Sequence, residues 1–145
     1  MRRTSVISLV AVAALAASLF VAQDMLAQVK KGKSRLLLTK QLMKGLVSAQ
    51  CGAVKKALDS SPADDKAWEE IGISAALLNE ASYVLMDDGR CPDGKWAEAA
   101  SKSLREGSAE VVAAAEKKDL EAAKKGFGTL TSACKNCHEA HKKKA

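Results

Sequence analysis

Aromatic side chains are scarce in this chain: two Trp, two Phe and one Tyr among 145 residues. Proteins that hold single-stranded nucleic acid stack bases on aromatic rings. Lys and Arg outnumber Asp and Glu by 23 to 17, but this basic surplus lacks those platforms, and no nucleic-acid role is expected. Proline is scarcer still. Pro62 and Pro92 both fall in short polar or Gly-containing stretches, so they punctuate helices rather than break them. No segment shows the two-residue alternation of a half-buried strand, which excludes sheet-based folds. Only two histidines occur, His138 and His141, both near the C-terminus. Nothing supplies a general acid and base beside a substrate pocket, and the chain is not read as an enzyme.

What remains is an Ala- and Leu-rich composition, 48% apolar, of the kind helix packing uses. A length of 145 residues suits one domain, and one all-α domain is expected. The first amphipathic segment runs from about Lys31 to Asp59, with Leu36, Lys40, Met43, Val47, Gln50, Val54 and Ala57 at steps of four and three. A turn at Ser60-Ser61-Pro62 leads to Asp64 or Asp65 as N-cap of a second helix ending near Met86. Its core face is Trp68, Ile71, Ala75, Leu78, Ser82 and Leu85. After the turn signals from Asp87 to Gly94, a third helix spans about Lys95 to Lys117, with Trp96, Ala100, Leu104, Val111 and Ala114 inward. The fourth begins near Asp119 and turns Leu120, Ala123, Phe127, Leu130, Cys134, Cys137 and His138 to the interior. Short loops make successive helices antiparallel neighbours, giving an up-down-up-down four-helix bundle.

The N-terminus reads as a secretory signal over residues 1–27. Arg2 and Arg3 precede an apolar run from about Val6 to Ala22, with Ala27 or Ala22 as the cleavage position. An uncleaved anchor is the alternative, since the run is near the lower limit for a membrane span. Cleavage removes Arg2, Arg3 and Asp24 and leaves residues 28–145 as a mildly basic, exported or periplasmic domain with no membrane span. Its surplus charge gathers at Lys30, Lys31, Lys33 and Arg35 and at Lys142, Lys143 and Lys144, either as solvated tails or as a dock for an acidic redox partner.

The chemistry is concentrated in Cys134-Lys135-Asn136-Cys137-His138. Cys-x-x-Cys-His is the pattern of c-type haem attachment. Two thiols one helical turn apart each form a thioether to a haem vinyl group, and the adjacent imidazole ligates the iron. One covalent haem c near the C-terminal end of the bundle follows. Two other readings stay open: a thiol-redox pair, which lacks its βαβ setting, and a zinc site completed by His141, whose four ligands would crowd into eight residues.

Four helices with this motif on the last resemble a class II c-type cytochrome of the cytochrome c prime family, over roughly Lys31 to Lys142. Softer support lies in Lys40-Gln41-Leu42-Met43-Lys44, Ala67-Trp68 and Lys118-Asp119-Leu120-Glu121-Ala122-Ala123. The resemblance implies a haem between the first and fourth helices, His138 as proximal ligand, and a homodimer through the first two helices. His141 departs from the Arg or aromatic residue often found near that place in the family; it is expected on the surface, with an iron-associated role as the alternative.

The wall opposite His138 decides the function. Met43 precedes Asp59 by 16 residues and His138 follows Asp119 by 19, so they stand about 24 Å and about 28 Å from the same end of the bundle. Met43 is therefore a candidate distal ligand, as in low-spin members of the family. A filled position suits electron carriage, whereas Met43 packed against an open haem face would leave room for nitric oxide or carbon monoxide. Arg35 and Lys40, near the start of the first helix, are candidates to neutralise a haem propionate. Cys51 and Cys91 are expected too far apart to pair, and Trp68 and Trp96 to be packing anchors.

Overall fold

The computed structural model describes residues 34–141; the signal segment, Lys30, Lys31, Lys33 and the Lys142–Lys144 run lie outside the described residues. Four helices account for the fold. α1 covers 39–59, α2 Asp65–Met86, α3 94–116 and α4 Leu120–His141. Each of the last three starts on an aspartate that caps a backbone N–H with its carboxylate: Asp64 accepts from Ala67 at 2.8 Å, Asp93 from Trp96 at 2.9 Å and Asp119 from Ala122 at 3.0 Å.

The helices run antiparallel in sequence order. Asn79 of α2 donates to the Arg105 carbonyl and the Ser108 hydroxyl of α3, while Trp96 at the start of α3 reaches back to the Leu85 carbonyl. α3 and α4 approach most closely at Gly107 and Gly126. A Cβ on Gly107 would stand 2.5 Å from the Leu130 nitrogen and 2.9 Å from the Gly126 carbonyl oxygen, so only glycine permits this contact. The core contains Ile71, Ala75, Leu78 and Leu85 of α2, Trp96, Ala100, Leu104, Val111 and Ala114 of α3, and Ala123 and Leu130 of α4. The seams expected for α2 and α3 are thus buried as read.

α1 differs from its expectation in two ways. Its helical turns begin at Thr39, not near Lys31, and residues 34–37 form no helix. Leu36, expected on the seam, is 81% exposed. The reason is the loop after α2. Asp88 accepts hydrogen bonds from the Ser34 and Arg35 backbone N–H groups at 2.8 and 3.0 Å, and Arg90 donates to the Leu37 carbonyl at 2.7 Å. These contacts hold the segment open. The second difference is a π-helical turn at Met43–Val47, which adds a residue to the turn and moves the buried stripe to Thr39, Leu42, Val47, Val54 and Leu58. Lys40, read as a seam position, lies exposed. A second π stretch, Glu98–Leu104, interrupts α3.

Candidate functional site

Because α1 is the helix least embedded in the bundle, a cleft of about 630 Å³ opens between it and α4. That volume lies in the range of small-molecule and cofactor sites. Both walls are helical, so the spacing along each helix decides which side chains face in.

The α4 wall carries the motif. Cys134, Cys137 and His138 lie at i, i+3 and i+4, one turn apart on one face, and all three line the cleft. Cys134 and Cys137 are half-buried with no disulfide, and the Cys134 thiol donates to the Leu130 carbonyl at 3.6 Å. Desolvation, followed at Cys134 by the charge of Cys51 and at Cys137 by those of Cys134 and Asp93, pushes both thiols up to about 11. They are therefore neutral thiols at neutral pH. His138 is exposed on the cleft side rather than turned into the core.

The α1 wall brings Met43 and Val47 against this face, with Thr39 below and Cys51 above. Met43 is half-buried. It also meets His138 at a smaller inner cavity of about 40 Å³, closed by Leu85, Trp96 and Ala133. Met43 and His138 thus share two adjoining spaces from opposite helices, at the one level expected from the residue count. Lys40, Lys44 and Lys55 complete the α1 lining as exposed cations on an otherwise apolar wall.

Arg35 is not brought to the cleft. Its guanidinium lies 3.7 Å from Asp87 and lines a separate hollow with Glu80, Tyr83 and Arg105, because the contacts of Asp87 and Asp88 hold the segment before α1 against the loop. The expected propionate role for Arg35 is corrected accordingly, whereas Lys40 lines the cleft.

Three residues of this region escaped the sequence reading. Trp96 does more than anchor α3, since it lines the cleft. His141, expected on the surface, has a side chain only 5% exposed; its Nε2 lies 3.4 Å from Asp93 and its ring meets Trp96 edge-on at 5.4 Å. The spacing of His138 and His141, i and i+3 on one face, was a signal for that placement. Arg90 is wholly buried, and nothing in the turn-rich sequence around it distinguishes it from a loop residue. Cys51 and Cys91 are both free thiols, as expected.

The donor set fits a c-type haem: two thiols a turn apart, an adjacent imidazole, a thioether on the facing wall, an apolar lining and cations for carboxylate groups. Among the described residues no cluster of three or more His, Cys, Asp or Glu side chains is arranged to hold a metal ion by itself. No helix among them is long and apolar enough to cross a membrane.

Neither the curated proteins nor the solved structures offer a match to this chain. Residues 93–142, which comprise α3, α4 and the cysteine motif, match the family model described as Cytochrome C'.

Proposed function

We propose that this chain, whose residues 93–142 match the family model described as Cytochrome C', is a member of the cytochrome c prime family and an exported monohaem c-type cytochrome that carries electrons. Cys134 and Cys137 would hold the haem by two thioethers, with His138 as its proximal ligand and Met43 as its distal one. The observation that carries the distal assignment is the position of Met43, which lines both spaces that His138 lines, from the opposite helix. When bound, haem supplies a one-electron couple whose potential the axial ligands set. The protein's apolar cleft would shelter that couple, and His138 and Met43 on facing walls would limit reorganisation between oxidation states. Val47 and Trp96 exclude water from the walls. Lys40, Lys44 and Lys55 neutralise haem carboxylates and present positive charge at the mouth, which suits an acidic redox partner. The proposal includes a homodimer through α1 and α2, for which Ile73 and Leu77, exposed one turn apart on α2, offer apolar surface.

Carbon monoxide titration of the reduced protein tests the distal assignment. Wild type is expected to bind weakly, because a bound thioether must leave first. Met43→Ala is expected to bind at least about tenfold more tightly, since the binding-competent fraction is then complete. Equal affinity in the two proteins would reject Met43 as a ligand and favour an open distal face that takes up nitric oxide or carbon monoxide.

A further inference from the structure

Arg90 has no part in the cleft lining, yet it is wholly buried. A buried guanidinium is costly unless hydrogen bonds compensate for its lost hydration. Those it makes go to one place. Nη2 donates to the Leu37 carbonyl at 2.7 Å and Nη1 to the Thr39 hydroxyl at 3.3 Å, while Nε has no acceptor among the described residues. Leu37 and Thr39 flank Leu38, the N-cap of α1.

That helix start is weak by itself. Gln41 accepts from the Leu38 backbone N–H at 2.8 Å, but leucine itself has no side-chain acceptor for the free N–H groups of the first turn. One full turn after Thr39 comes Met43, which opens the π-helical turn Met43–Val47, a geometry less favourable than an α-helical turn. Thr39 and Met43, four residues apart, project from the same face of α1 into the cleft. The α2–α3 loop holds this weak segment twice, through Asp88 on Ser34 and Arg35 and through Arg90 on Leu37 and Thr39.

We infer that Arg90 is a positioning residue for the distal side of the haem cleft: by fixing the Leu37 carbonyl and Thr39 hydroxyl, it holds the first turn of α1 at the height that presents Met43 to His138. This rests on Met43 acting as the distal ligand. Loss of the lock lets the first turn fray, and Met43 spends less time at the iron.

Carbon monoxide titration of the reduced holoprotein tests this in wild type, Arg90→Met, Arg90→Lys, Met43→Ala and the Arg90→Met/Met43→Ala double variant. Amide hydrogen exchange over residues 39–47 is measured alongside. Arg90→Met is expected to raise carbon monoxide affinity about three- to tenfold and to speed exchange at those amides. Arg90→Lys, which keeps the charge and one donor, is expected to fall between it and wild type. In the Met43→Ala background, Arg90→Met is expected to add less than twofold. An Arg90→Met affinity within twofold of wild type, while Met43→Ala binds much more tightly, overturns the positioning role and leaves Met43 as the ligand. A full Arg90 effect in the Met43→Ala background overturns it as well, because Arg90 would then act on the haem directly. Wild-type affinity in Met43→Ala identifies the distal assignment itself as the fault and removes both. Should Arg90→Met fail to accumulate, Thr39→Val removes one acceptor, keeps the side-chain shape and is read against the same thresholds.

Discussion

Residues in this site serve in pairs, and Trp96 and Asp93 show how tightly those pairs are linked. Asp93 caps α3 by accepting from the Trp96 N–H, and the same carboxylate lies beside His141. The Trp96 ring, 3% exposed, lines the cleft on one side and donates from Nε1 to the Leu85 carbonyl at 2.8 Å on the other. Trp96→Phe keeps most of the apolar wall but leaves that buried carbonyl without its donor. It is expected to destabilise the protein by about 1–3 kcal/mol, measured by urea unfolding. An unchanged midpoint would show that the carbonyl finds another partner. Position in the sequence revealed Trp96 as an anchor, because a Trp opening an amphipathic segment has a core face to join. Its second neighbour, His141, lies 45 residues away, which no local pattern encodes.

Between elements, the α3–α4 contact has the least tolerance. A Cβ at Gly107 would meet backbone atoms of Leu130 and Gly126, and backbone cannot rotate aside as a side chain can. Gly107→Ala is expected to cost about 1–3 kcal/mol by forcing the helices apart. Gly128, on α4, has nothing within 4 Å of its would-be Cβ, and Gly128→Ala is expected to stabilise by up to about 1 kcal/mol through helix propensity. Thermal unfolding of the two variants checks the opposite signs; a shift in the same direction for both would contradict the close approach. α2, α3 and α4 were legible because their seams repeat at three and four residues and their caps are aspartates next to turn signals. α1 was legible only in part. A π turn is not written in the apolar period, and Leu42 to Val47, a step of five, breaks the seam that the sequence suggested.

For the molecule as a whole, the α2–α3 loop joins the start of the chain's fold to its middle. Desolvation raises the Asp88 carboxyl, but hydrogen bonds from the Ser34 and Arg35 backbone and the Ser34 hydroxyl, with the charge of Arg90, outweigh it and hold it below the ordinary value of 3.8. A carboxylate depressed in the folded state contributes stability above its unfolded value, and that contribution is lost as pH falls through its folded value. The grip on residues 34–35 is therefore expected to persist at neutral pH and to release in acid. Unfolding midpoints of wild type and Asp88→Asn are expected to differ at neutral pH and to converge as the solution is acidified below pH 4; a constant difference would dissociate the loop from this titration. The sequence by itself determined the helical class, the bundle order, the Cys-x-x-Cys-His motif and the level of Met43 against His138. These rest on local periodicity and on the fixed rise of a helix, which act over a few residues and add along the chain. Only tertiary structure decided where α1 begins, that His141 is enclosed, that Arg35 faces away and that Arg90 is buried beneath the first turn. Each depends on side chains distant in sequence meeting in a low-dielectric interior, where a charge or amide takes whichever partner the packing brings within reach.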